Sequence, residues 1–441
     1  MQMAASLPEK VGKAMRLMQC PPDVLERVIS FLPVPDIFRL RTVCKEWNEI
    51  ITTRAFKEKG QLRFNKLQLL VVCNSDSAGS DKPEFKAYDV DAQKWRSFDL
   101  SFLPGDGSFR VLDFAGCLAC VMHKSHMQRL LYVCNPLTKS LARLPSPLCL
   151  QSAYSSQNVI VRMHYCKKTG HYKVFVVSGL CVNPDLVGPS VFDRLVVEEF
   201  DSCSWTWALH SQICEPFMWW EMMGAGVLPC NNENEKGASL FILLYKSFGH
   251  DPHRGQLFAL LFDEEKGDLG FVKIEAALPN NLLIPRLVFC ERSSCPLLVS
   301  AVRDLNGGRE VGIWELDNKL SKWRLLAVMP GDFFKYLRSL KEQVRKRLIG
   351  GMTVLGLEHL PLYSSRLVPE LVVGVAYKHL IYIHPQDVVA WTIVFDTRTH
   401  YWHLLPPQIT RTRISPVITV SSCVRECVFE PSLENVVSEP N

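Results

Sequence analysis

The 441-residue chain has no uncharged apolar run of about 18 residues, which excludes a membrane-spanning helix. It also has little net charge. Fifty basic against 45 acidic residues leave +5 at neutral pH. Spread over this length, that field is too weak to argue for direct nucleic-acid binding. Nothing in the first 19 residues resembles a signal peptide, because Glu9, Lys10, Lys13 and Arg16 leave no apolar stretch between them. The sixteen cysteines are scattered and too sparse for a disulfide scaffold. They read as reduced thiols, mostly small hydrophobes, in a protein of the nucleus and/or cytoplasm. A nucleophile elbow, a phosphate-cradling glycine loop and a His-Glu-x-x-His helix are all missing from the sequence. The expectation is a non-catalytic chain with no cofactor and no bound metal.

What is present is an ordinary globular composition, 47% apolar and 22% charged. Length alone suggests roughly three domains, but the pattern divides the chain differently. Residues 20–60 carry helical periodicity and the remainder carries strands. Pro22 and Asp23 suit a helix N-terminus. Val24, Leu25, Val28, Ile29 and Leu32 then form one apolar face. Pro33 and Pro35 stop that helix, and Asp36 is placed to cap the next. Ile37, Leu40, Val43, Cys44, Trp47, Ile50 and Ile51 continue the stripe. About 40 residues in short helices rarely form a stable core alone, so the stripe must pack on the sheets or on a partner.

The order Pro21 to Pro33, then Asp36 to Leu40, then Val43, Cys44, Lys45, Glu46 and Trp47 resembles the F-box. One departure is Cys20, which stands where that family usually has leucine. The resemblance implies binding to the Skp1-like adaptor of a cullin–RING ubiquitin ligase. By position, Pro21, Leu25, Ile29, Leu32, Pro33, Ile37, Leu40, Val43 and Trp47 would form or support the adaptor-binding face. Some of them, Trp47 above all, could instead hold the helices together.

Self-similarity organises residues 61–430. Asp89, Asp201, Asp317 and Asp396 each follow an apolar or aromatic residue and precede a tryptophan by six positions: Trp95, Trp207, Trp323 and Trp402. Two degenerate copies are Asn135 with Leu141, and Asp263 with Leu269 or Phe271. A proline follows each copy, at Pro104, Pro145, Pro216, Pro279, Pro330 and Pro406. Each unit reads as a β-hairpin. An apolar strand ends at Asp or Asn, whose side chain caps a polar turn, and the tryptophan opens the return strand. The anchors lie 46, 66, 62, 54 and 79 residues apart. Such lengths suit a four-stranded blade of about 50 residues. The last interval contains an insert, 333–348.

This half of the chain looks like an all-β kelch-type β-propeller of six or seven blades behind a small all-α module. The kelch glycine pair survives only at Gly307–Gly308 and Gly350–Gly351. The whole order is similar to plant F-box/kelch-repeat proteins. On this reading, residues 1–19 are a flexible leader and 431–441 a tail, and a strand from residues 418–429 closes the ring. The resemblance implies a substrate receptor that reaches a cullin through the adaptor and captures an unknown target protein for ubiquitination. The alternative is a non-degradative scaffold for a transcription co-regulator.

Other clusters have plainer readings beside their functional ones. Cys117, Cys120, His123 and His126 invite zinc, but three-residue steps along strands alternate faces, so core cysteines and loop histidines are expected. Cys423 and Cys427 lack a second pair. The repeated aspartates read as turn residues rather than catalytic acids. Trp219 and Trp220, adjacent in an aromatic and Met-rich run, are candidate target anchors. In the insert, six basic residues oppose Glu342. Phe333, Tyr336, Leu337, Leu340, Val344 and Leu348 share one helical face there, so a helix docked on the rim is expected, with an acidic-partner contact as the alternative.

Overall fold

A computed structural model of the protein describes residues 21–32, 36–37, 40–41, 43–53, 56, 69–74, 84–89, 94–98, 102–104, 108–124, 129–136, 138–151, 155–166, 169–180, 194–214, 219–228, 239–247, 255–263, 282–288, 296–303, 309–317, 322–336, 339, 372–377, 379–385, 392–405 and 425–429. The first element is α1 (Pro22–Ser30), with Pro22 in its opening turn and Asp23 beside the positive end of the helix dipole. It ends where the Phe31 amide turns back to the Val28 carbonyl. The second helix, α2 (Lys45–Thr52), is capped by Cys44, whose sulfur accepts from the Trp47 amide at 3.4 Å. Arg41 Nε donates to Asn48 Oδ1 at 2.9 Å and ties the intervening turn to α2.

The remaining elements are antiparallel strands. Sheet I contains β1 (Leu69–Asn74), β2 (Glu84–Asp89) and β3 (Lys94–Phe98). Sheet II is β4 (Ser108–Ala115), β5 (Leu118–Lys124), β6 (Arg129–Asn135) and β7 (Ser140–Arg143). A short helix, α3 (Leu148–Gln151), leads to sheet III: β8 (Ser155–Tyr165), β9 (Tyr172–Leu180), β10 (Arg194–Asp201) and β11 (Thr206–Cys214). Sheet IV shows β12 (Trp219–Leu228), β13 (Ser239–Ser247) and β14 (Gly255–Asp263). Sheet V is β15 (Leu282–Val288), β16 (Leu297–Arg303), β17 (Arg309–Asp317) and β18 (Lys322–Val328). Sheet VI is β19 (Val372–Tyr377), β20 (Leu380–Pro385), β21 (Ile393–Asp396) and β22 (Tyr401–Leu404). The last strand, β23 (Arg425–Phe429), returns to pair with β1, Phe429 opposite Leu69. Of the strand expected from residues 418–429, Arg425–Phe429 is described, and it joins the first sheet.

The arrangement is propeller-like. The leading strands adjoin one another in the cyclic order β4, β8, β12, β15, β19, β23 and back to β4. Between sheets the filling is apolar, in three clusters among the described residues. One joins sheets II and III and extends into the helices, another joins III and IV, and the third joins V and VI.

The anchor spacing read from the sequence has a single structural meaning. In every described copy the residue before the anchor pairs across the hairpin with the residue six after the anchor. The pairs are Tyr88 with Trp95, Cys134 with Leu141, Phe200 with Trp207, Leu316 with Trp323 and Phe395 with Trp402. Three of the anchors cap their turns as expected. Asn135, Asp201 and Asp396 each accept a backbone amide two or three residues on, from Thr138, Cys203 and Arg398. The turn then needs a left-handed residue four positions after the anchor, and Lys139, Trp205 and His400 fill that place with φ between 55 and 58°. None is glycine. The rings of Trp205 and His400 fold back edge-on over Phe200 and Phe395, contacts that offset the backbone cost. β14 ends at Asp263 as read, whereas Leu269 and Phe271 lie outside the described residues.

Candidate functional site

The helical module presents two adjoining apolar rows on α1, one buried and one exposed. Leu25 and Ile29 point inward and are 3% and 1% exposed. One residue earlier along the helix, Val24 and Val28 are 44% and 48% exposed, and Phe31 at the helix end is 62% exposed. Their spacing of four and three residues places them on one stripe. Leu32 and Val43, in the turns at either end of the intervening segment, are also exposed.

The residues named from the motif therefore divide. Pro21, Leu32 and Val43 are at the surface, and Leu40 and Trp47 are half-buried. Leu25, Ile29 and Ile37 are buried and support the module from within. Pro33 lies outside the described residues. Motif spacing missed Val24, Val28 and Phe31. Apolar residues next to the buried pair were the available signal, since α1 carries more apolar surface than one buried face requires.

On the sheets, Trp219 and Trp220 open β12 opposite Ser247 and Lys246, and their side chains are outside what the structure describes. Cys117 and Cys120 are enclosed in the apolar cluster, and burial pushes the neighbouring Cys134 thiol up to about 12. His123 stacks on Phe109 with ring centroids 4.7 Å apart. His126, Cys423 and the glycine pairs at 307–308 and 350–351 lie outside the described residues. The insert begins as helix over 331–336, and Phe333 and Phe334 pack against the cluster of sheets V and VI. Docking of that first turn agrees with the expectation, with Phe334 taking a share of the contact. The basic residues from Arg338 onward are not described.

A polar group that sequence reasoning missed joins three leading strands. Asp113 on β4 accepts the Met163 amide of β8 through Oδ2 at 2.7 Å. Its Oδ1 lies 3.9 Å from Arg162 Nη1, and Arg162 Nε donates to the Ala225 carbonyl on β12. Asp113 follows a β-bulge between Val111 and Asp113, which resets its register on β5. Nearby, Lys173 pairs with Glu199 at 2.8 Å in an almost enclosed ion pair. Burial, then Lys173, lowers the His164 imidazole below its ordinary value, and Glu199 opposes them.

Comparison with known proteins identifies the helical module. Residues 17–59 match the F-box domain family. An F-box/kelch-repeat protein of Arabidopsis thaliana is 27% identical over 337 residues, covering 71% of this chain and 73% of that protein. The Arabidopsis thaliana protein UNUSUAL FLORAL ORGANS is 25% identical over 330 residues, covering 71% and 67%. SKP1-interacting partner 15 of Arabidopsis thaliana is 30% identical over 154 residues, covering 32% and 40%. The chain thus carries an F-box domain at its N-terminus, ahead of a propeller-like ring of antiparallel sheets, and over most of its length it is similar to a plant F-box/kelch-repeat protein.

Proposed function

We propose that the chain is the substrate-recognition subunit of an SCF-type E3 ubiquitin ligase. The F-box binds a Skp1-like adaptor and, through it, a cullin. The sheets, taken as the six blades of a kelch-type propeller over residues 61–430, bind a target protein on their loops. One observation carries the reading: Val24, Val28, Phe31, Leu32 and Val43 are exposed on the F-box while Leu25, Ile29 and Ile37 are already buried. The similarity to SKP1-interacting partner 15 supports it.

In this reading the chain performs no bond chemistry. It tethers the target near the charged conjugating enzyme and raises effective concentration. The repeated aspartates hold turns, and the aromatic run at Trp219 and Trp220 is retained as a target contact. The protein works in the nucleus and/or cytoplasm.

The test is co-purification with a recombinant Skp1-like adaptor. Val28→Asp and Phe31→Asp, both at exposed positions, should each cost about 2 kcal/mol or more of binding, as central interface anchors do. Retention of the complex in the double variant would sink the proposal. Degradation is separated from scaffolding by the half-life of a captured partner after depletion of this chain. Lengthening supports ubiquitination, and no change favours the scaffold.

A further inference from the structure

The F-box helices do not bury their apolar face on each other alone. Leu25, Ile29, Ile37, Ile51 and Phe56 belong to the same connected apolar cluster as Leu103, Phe109, Val111, Leu131 and Val133 of the sheet region. Half-buried Leu40, Trp47 and Ile50 of the module pack against that cluster too, as does Phe102. Among the described residues, the other two clusters, between sheets III and IV and between sheets V and VI, contain none from the module. A helical module of this size has too little interior to be stable alone. The surface it offers, Val24, Val28 and Phe31, is held in place only while the adjoining row of α1, Leu25 and Ile29, remains packed.

We infer that adaptor capture is conditional on a folded ring: the F-box presents its exposed row only when sheets II and III are intact beneath it. The inference rests on the adaptor reading proposed above and adds a regulation to it. A receptor whose target-binding sheets are damaged near sheet II loses its place in the ligase, although no residue of those sheets need touch the adaptor. Linkage makes the effect reciprocal. A ligand that binds only the folded module stabilises whatever must fold with it, so bound adaptor slows opening of sheet II. Damage confined to sheets V and VI, which have their own cluster, has less effect on the module.

Hydrogen–deuterium exchange on the full chain, with and without a recombinant Skp1-like adaptor, tests this. Residues 21–56 and strands β5 and β6 should both exchange more slowly in the complex, with β20 and β21 unchanged. Protection that stops at residue 56 overturns the inference and leaves the adaptor reading standing. Failure to form any complex overturns both. As a second arm, Leu131→Ala and Ile383→Ala place similar cavities in the first and third clusters. At a temperature where β6 of the Leu131→Ala chain exchanges freely, its adaptor affinity should fall tenfold or more, with Ile383→Ala close to the parent. Equal affinity in the two variants at that temperature also overturns the inference.

Discussion

Replacing Asp113 by alanine tests whether polar side chains fasten the leading strands to one another. The Met163 amide lies on the edge of β8 away from β9, and the Asp113 carboxylate accepts it at 2.7 Å. Losing a charged acceptor from such an amide costs about 1.5–3 kcal/mol. The Arg162 pair adds a smaller amount. At 3.9 Å, the attraction is about 4 kcal/mol before desolvation at an effective dielectric near 20. Exposed pairs retain only about 1 kcal/mol of such attraction after desolvation and ordering. Asp113→Ala should therefore lose about 2–4 kcal/mol. Asp113→Asn keeps an acceptor without the charge and should lose about 1 kcal/mol. Urea denaturation of the two variants and of Arg162→Met gives the comparison. The Asp113 and Arg162 losses should fall short of additivity by about 0.5–1 kcal/mol, since they share one contact. Asparagine as damaging as alanine, or an alanine loss below about 1 kcal/mol, would refute this account of the fastening.

Two further outcomes follow from single sites. A Cβ at Gly312 would overlap the ring of buried Trp314, so Gly312→Ala should lower stability by about 1–3 kcal/mol. Thermal unfolding should show most of that loss recovered against a Trp314→Leu background. His164 is held neutral chiefly by burial, with its folded value below the ordinary one. The unfolded chain then takes up the proton first as pH falls below about 6.5, so stability is full above that pH and declines as the folded value is approached. In denaturation midpoints measured from pH 7.5 to 5, His164→Gln should flatten the decline, and an unchanged slope would count against it.

The hairpins were legible because their turn chemistry is local. An Asp or Asn that caps its own turn, followed six positions later by tryptophan, sets loop length and register together, and Phe200 with Trp207 and Phe395 with Trp402 pair as that spacing requires. The left-handed residues were not legible. Trp205 and His400 occupy a conformation that favours glycine, and what offsets its cost is contact with Phe200 and Phe395, invisible to a turn rule. The leading strands were harder still. β4, β8, β12 and β15 each carry a register shift, which breaks the alternation of apolar and polar residues that marks a strand. Asp113 and Arg162 stand on different sheets some fifty residues apart, so nothing in local sequence marks them as partners.

The F-box shows the complementary limit. Its motif is a record of spacing, and spacing is dictated mainly by what the module must bury. Leu25 and Ile29 are accordingly prominent in the motif and enclosed in the fold. Val24 and Val28 sit beside them in sequence and satisfy the same periodicity, so periodicity alone could not say which row faces inward. The decision comes from where the rest of the chain lies: the cluster that reaches Leu103 and Leu131 takes up the Leu25 row and leaves the Val24 row in solvent. A helix that only had to fold would need one such row. The second row gains nothing from folding and adds an aggregation liability while uncovered, which is what the adaptor binding proposed for the module would explain.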